Sequence, residues 1–346
     1  MSPMRAVIID RHGGLETLRY VPDFPMPQPK AGEVRVRVRA AALNRLDLWV
    51  REGWEGIKLP LPHILGADAA GEIEALGEGV QGLAIGDRVV VNPGISCGQC
   101  EMCLSGQDNL CPKFGILGED MPGTYAEYVV VPARNALKLP DHVSYEQAAA
   151  AALVYLTAWH SLIGRGKLRA GESVLIVGAG GGVNSASIQI AKLAGATVYV
   201  VASNAEKAAQ AQALGADHCI DRSAEDWTRA IFQLTGRRGV DVVVDNVGMA
   251  TINGSIRAVR RGGRILIVGN TSGYDARIDM RYVFAKHVSL IGSTMAPYAD
   301  FVQVMRLIFA GKLQPLISAR YPLAEARQAQ ERLAQGDVFG KIVLMV

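Results

Sequence analysis

The apolar positions of the chain change rhythm twice. In the first third they come as short runs and alternations at 5–9, 33–41, 70–76, 88–92 and 125–132, separated by Gly and Pro clusters. That pattern predicts an irregular β-rich domain. In the middle, apolar runs alternate with helix-spaced stretches. Val174, Leu175, Ile176 and Val177 have the composition of a strand buried on both faces. Gly178, Gly180, Gly181 and Gly182 follow as a turn, and then Ile188, Ile190, Ala191 and Leu193 fall near helical spacing up to a stop at Gly195. Further strand runs stand at 197–202, 240–245, 264–269 and 288–293, with helix-like segments between. Such alternation predicts a doubly wound parallel α/β sheet. The apolar span 148–163, interrupted by Thr157, His160 and Ser161, reads as a buried helix rather than a membrane span. Amphipathic helices are predicted at 298–310 and 323–334, and 341–346 closes the chain as a strand. A lone strand is not stable, so this tail is expected to pack back on the first domain.

A helix that opens on a glycine turn directs unpaired N–H groups and a positive dipole end at its ligand, which suits a pyrophosphate. The parallel sheet therefore reads as dinucleotide-binding, with its ligand at the carboxyl ends of the strands. At 346 residues the chain has room for two cores. The net charge of +3 includes no run of Lys or Arg, which argues against nucleic acid or a membrane surface as partner. The 38 glycines show no fixed period, and the opening MSPMRAVIID lacks the apolar core of an export signal. Five cysteines without an export signal indicate a reducing, cytoplasmic setting, where thiols more often bind metals than pair.

Four of them form the most specific motif in the chain, Cys97-x2-Cys100-x2-Cys103-x7-Cys111. Four thiolates at this spacing suit one tetrahedral zinc with no open position, a structural site. Cys219 is left over and reads as a small buried hydrophobe.

The quartet, together with GESVLIVGAGGGV, DVVVDNVG, GGRILIVGN and the ending GKIVL, resembles the medium-chain dehydrogenase/reductase family, in particular its quinone-oxidoreductase-type and zinc-containing alcohol dehydrogenase-like members. The resemblance runs essentially from Arg5 to Val346. It implies a GroES-like catalytic domain at 1–149 with a structural zinc lobe near 94–113, a Rossmann domain at 150–295, and a return to the catalytic domain at 296–346. An active site in the cleft between the domains is implied too, as is a homodimer or homotetramer in which 288–293 pairs across subunits. Alcohol dehydrogenases of the family hold a second, catalytic zinc with a Cys, a His and a further Cys or acidic residue. This chain has Asn44, Ala67 and Leu153 at those places, and none of the three is a good zinc ligand. No catalytic zinc is therefore expected; the alternative is a rearranged site built from His63, Asp68 and Asp47. Asp68 otherwise caps or pairs in a turn. Asn44 is the leading catalytic candidate, orienting substrate or nicotinamide, with Asp47 beside it. Tyr155 is either a proton donor or, with Trp49 and Trp54, a cleft or core residue.

The second strand of the sheet ends at Ala202-Ser203-Asn204 with no carboxylate for a ribose hydroxyl. Ser203, Lys207 and Arg222 converging would instead make a 2′-phosphate site, favouring NADP(H) over NAD(H). Gly181, Gly182 and Val183 are expected at the pyrophosphate. Asn184 replaces the third glycine of the usual turn, implying either wider packing or a side chain turned to the phosphate. By resemblance Thr157, Asn246, Gly269 and Asn270 also approach the cofactor, and Lys341 reaches the pyrophosphate. The expected reaction is hydride transfer from NADPH to an activated alkene, quinone or enoyl substrate. A zinc-dependent alcohol dehydrogenase and a nucleotide-binding structural or regulatory protein without turnover are the alternatives.

Overall fold

The structure is a computed structural model and describes residues 2–346. It divides into two compact units, one comprising the chain through Leu153 together with Ala296–Val346, the other Val154–Met295. The boundary falls inside the helix Tyr145–Trp159, four residues beyond the point where composition places it.

The first unit is built on a seven-stranded sheet. Its order is Ala136–Lys138, Arg88–Val91, Asp68–Leu76, Glu33–Ala42, Lys341–Met345 and Ile317–Pro322, with Tyr128–Pro132 also paired to Glu33–Ala42. Period-2 alternation sets the inner face: Val34, Val36, Val38 and Ala40 are buried, while Arg37 is exposed and Arg39 reaches Glu72 at 2.8 Å. The tail strand does return to this sheet, antiparallel to Glu33–Ala42 and parallel to Ile317–Pro322. A second sheet joins Leu18–Pro25, Pro3–Ile9 and His63–Ile64, and a short pair, Gly94–Ile95 with Gly115–Ile116, closes the cysteine lobe. Tyr125 lies outside the strand predicted from 125, because its N–H is spent on Leu65 and its carbonyl on Val7. The helix predicted from 323 begins at Ala326, after a 3₁₀ turn over Leu323–Glu325.

The second unit is a six-stranded, wholly parallel sheet. Its order is His218–Asp221, Thr197–Ala202, Ser173–Val177, Val240–Asp245, Val259–Ile267 and Ser289–Gly292. The order reverses between Ser173–Val177 and Val240–Asp245, which is where a doubly wound sheet opens a ligand crevice. Leu175, Val177, Val201, Val243 and Ile265 are at most 2% exposed, as strands covered on both faces require.

Candidate functional site

Register in the first unit assembles a polar cluster at one end of the main sheet. Val343 stands opposite Ala42, so Lys341, two residues earlier, lies across from Asn44, two residues later. Asp68 opposes Ala42 on the other side. Period 2 then puts Lys341, Asn44 and Asp68 on the same face. The Lys341 ammonium donates to Asn44 Oδ1 at 2.5 Å and to Asp68 Oδ2 at 3.0 Å. Asn44 Nδ2 donates to the same Asp68 oxygen at 2.9 Å, and Asp68 Oδ1 accepts the Leu153 N–H at 2.8 Å. The backbone carbonyl of Asp68 takes the Thr124 hydroxyl at 2.9 Å. This is a buried ion pair, its side chains 4% and 0% exposed, and burial at that level is costly without hydrogen bonds such as these.

Asp47 sits in the first turn of the adjoining helix, Arg45–Glu52. Its Oδ2 accepts the Asn44 backbone N–H and the Tyr125 hydroxyl, each at 2.8 Å. Burial pushes its carboxyl up to about 7 despite those bonds and the nearby Lys341. The Tyr125 hydroxyl is in turn pushed well above the usual phenol range by burial and by Asp47.

Two residues named from the sequence belong to this network. The Lys341 ammonium, expected at the pyrophosphate, bonds Asp68 and Asn44. Asn44 does not present a free amide, since Oδ1 and Nδ2 are bonded to Lys341 and Asp68. Of the three positions where a catalytic zinc would be bound, 44 and 153 are thus joined by an internal ion pair, and Ala67, next to Asp68 in the chain, is fully buried. An amide already bonded to an ammonium, a methyl and an isobutyl group do not fit a dication. The alternative set of His63, Asp47 and Asp68 is not assembled either. His63 Nε2 meets the Gly118 carbonyl at 3.1 Å, and the one cluster of metal-ligating side chains among the described residues is elsewhere.

That cluster is the cysteine quartet. The sulfurs of Cys97, Cys100, Cys103 and Cys111 lie within 4.8 Å of one another, close enough to hold one zinc ion. Backbone N–H groups already point at them: Gly98 at Cys103 (3.3 Å), and Cys97 and Lys113 at Cys111 (3.4 and 3.3 Å). Hydrogen bonds from the backbone of Gln99 and Cys100 draw the Cys97 thiol down, while the neighbouring Cys100 thiol is pushed up. Cys219 is half-buried and its thiol is raised by burial.

In the second unit the predicted cofactor residues gather at the carboxyl edge of the sheet. Val177 lies beside Val201 and Asp245, and Asp245 beside Ile267, so Gly178, Asn246 and Gly269 emerge from adjacent strands. Gly178 has φ +102, and a Cβ there would lie 2.6 Å from Asn184 Nδ2. Asn184 therefore occupies the space over Gly178, and its Oδ1 accepts from Asn246 Nδ2. The side chain is turned to a neighbouring strand rather than to a phosphate, which is why the missing third glycine is tolerated. Asn246 Oδ1 is buried with no donor. Gly181 caps the helix Gly182–Leu193, whose first-turn N–H groups face the turn. The Asp245 carboxylate braces the neighbouring loop through Val247 N–H, Gly248 N–H, Thr251 and Ser255. An orphaned acceptor beside a glycine cradle and a helix N-terminus fits a dinucleotide. Ser203 and Arg222 follow directly on the neighbouring strand ends Ala202 and Asp221, which are paired in register; both are exposed. Lys207 lies one helical turn on, in Ala205–Ala213. Asn270 is exposed beside Gly269, and Thr157 is buried in the helix Tyr145–Trp159. Tyr155 is 1% exposed, its hydroxyl accepting from Gln189 at 2.7 Å and raised by burial, so it is placed as an interior residue of this unit.

Comparison with known proteins agrees with this geometry. Residues 30–141 match the alcohol dehydrogenase GroES-like domain and residues 182–310 the zinc-binding dehydrogenase domain. The chain belongs to the medium-chain dehydrogenase/reductase family of NAD(P)-dependent oxidoreductases. It is 32% identical to an NAD-dependent alcohol dehydrogenase of Saccharolobus solfataricus over 99% of this chain and 100% of the relative. The human quinone oxidoreductase is 30% identical over 99% and 98%, and the acryloyl-coenzyme A reductase of Metallosphaera sedula 32% over 99% of each. A solved structure described as an NAD-dependent alcohol dehydrogenase superposes with a TM-score of 0.96 at 48% identity, covering 99% of this chain and 100% of that one.

Sequence reasoning gave Tyr125 and Thr124 no role and offered Asp68 only as a turn residue or a ligand of a rearranged metal site, not as the partner of Lys341. The signal existed in the pairing of the tail strand with Glu33–Ala42, but register between segments 300 residues apart cannot be read from periodicity.

Proposed function

We propose that the protein is an NADPH-dependent reductase of activated alkenes, quinones or enoyl compounds that works without a catalytic metal. The observation that carries this reading is the Lys341–Asp68 ion pair bonded to residues 44 and 153. Without a Lewis acid an alcohol or simple ketone is hard to activate. An enone, quinone or enoyl thioester is already electrophilic at its β-carbon and needs chiefly positioning and a donor for its oxygen. A bound reduced nicotinamide would supply the hydride. Gly181, Gly182 and Val183 would hold its pyrophosphate, and Ser203, Lys207 and Arg222 its 2′-phosphate. Asn246, Gly269, Asn270 and Thr157 would stand nearer the nicotinamide. The quinone oxidoreductase and acryloyl-coenzyme A reductase relatives support this reading.

The alcohol dehydrogenase relatives favour a second reading, NAD(H)-linked oxidation of alcohols. Zinc content and cofactor oxidation decide between the two. About one zinc per chain, with NADPH consumed by enones or quinones, is expected; two zincs with NAD reduced by ethanol would replace the proposal. We further propose a homodimer or homotetramer in the cytoplasm. Ser289–Gly292 ends the parallel sheet as an edge strand, and Met280, Tyr282 and Phe284 shortly before it are exposed. Among the described residues no helix is long and apolar enough to cross a membrane.

A further inference from the structure

An ammonium carries three N–H donors. That of Lys341 spends one on Asn44 and one on Asp68, and the third has no acceptor among the described residues. The side chain is nevertheless 4% exposed. A buried donor left unmade is costly, and a buried ion pair is seldom more stabilising than well-packed apolar side chains of the same volume. Stability alone therefore accounts poorly for a charged pair at this end of the sheet. Asp68 and Asn44 hold the ammonium in one orientation, and Leu153 and Thr124 hold Asp68 in turn. A fixed cation with one unspent N–H, bonded to Asn44 and through Asp68 to the Leu153 backbone, has the properties of an oxyanion donor.

We infer that Lys341 is a catalytic residue whose third N–H binds the substrate carbonyl oxygen as negative charge gathers there. The inference rests on the reductase reading above. Hydride from a reduced nicotinamide forms the C–H bond at the β-carbon and breaks the C=C π bond, whose electrons move through the α-carbon onto the oxygen as an enolate. The enolate oxygen accepts the Lys341 N–H. The α-carbon then takes a proton from water, the carbonyl re-forms, and Lys341 stays protonated throughout. Substrate is reduced by two electrons and nicotinamide oxidised by two.

Lys341→Met alone leaves Asp68 a buried unpaired charge, so the informative variant is Lys341→Met with Asp68→Asn, which removes both charges. Two measurements are made on the wild type and this double variant, each checked for folding and zinc content. The first needs no cofactor: 4-nitrophenol is titrated onto the protein across pH and its phenolate absorbance recorded. The wild type is expected to favour bound phenolate over phenol, lowering the probe's apparent pKa, and the double variant to lose that preference. The second is turnover with an enone at saturating NADPH, together with the dissociation constant of NADPH. A fall in kcat of about a hundredfold, with the cofactor constant within about twofold, is expected. Return of the double variant to wild-type kcat would mean a merely structural pair and overturn the inference. So would a tenfold weaker NADPH constant with kcat preserved, which is the behaviour of a phosphate anchor. If the wild type turns over no enone or quinone, the reductase reading fails by itself, and the phenolate titration still decides whether Lys341 is an oxyanion donor.

Discussion

Replacing Asp47 by Asn tests the electrostatics of the buried cluster directly. Burial lifts the Asp47 carboxyl from 3.8 to about 7, so near neutral pH the folded protein holds a proton that the unfolded chain has released. The folded state then binds more protons, and stability falls as pH rises. The contribution is fully present below about pH 4, declines by about 1.4 kcal/mol per pH unit, and is lost above about pH 7. The whole swing is about 4 kcal/mol. An Asn at this position keeps an oxygen for both the Asn44 N–H and the Tyr125 hydroxyl, and it carries no charge to desolvate. The variant is expected to match the wild type within about 1 kcal/mol at pH 4 and to exceed it by about 2–4 kcal/mol at pH 8. Urea unfolding followed by far-UV circular dichroism at the two pH values measures both differences. Equal loss of stability at both pH values would refute the reasoning, because it would mean that Asp47 is bound as a carboxylate rather than tolerated as an acid.

Further expectations concern the other parts of the molecule. Cys100→Ser should lower zinc from about one per chain to near zero by elemental analysis and reduce the melting temperature, since three remaining thiolates leave the tetrahedron open. Gly178→Ala puts a Cβ at φ +102 and 2.6 Å from Asn184 Nδ2; it should cost about 1–3 kcal/mol and weaken nucleotide binding measured by fluorescence titration. If Arg222 grips the 2′-phosphate, Arg222→Ala should raise the NADPH dissociation constant about tenfold and leave that of NADH unchanged, whereas equal effects on both would point to NAD(H). Asp241, nearly buried, draws Arg238, Arg260 and Ser173 together and is held far below the usual carboxylate range by them against the cost of burial. Asp241→Asn should destabilise by about 2–4 kcal/mol in denaturant unfolding at pH 7, with the difference shrinking in acid.

The chain itself displays what depends on neighbours in sequence. The valine-rich run before the glycine turn, its helix and the strands after it are legible because burial on both faces demands uninterrupted apolar side chains. The Cys97 to Cys111 quartet is legible because one metal ion requires its ligands within a few ångströms, and short spacing supplies that. Ala67 and Leu153 could be recognised as unable to bind zinc from their chemistry alone. The ion pair that meets position 44 could not be, because Lys341 meets Asn44 and Asp68 only through the register of strands drawn from opposite ends of the chain. The same holds for Asn184, whose tolerance in a glycine turn depends on Asn246 at the end of the adjacent strand of the sheet, some sixty residues later in the chain. Local composition determined the elements, the zinc lobe and the cofactor fold, since those follow from side-chain volume, periodicity and ligand spacing. Tertiary structure alone decided which buried charges meet, because a one-residue slip in register would send Lys341 to the opposite face of the sheet.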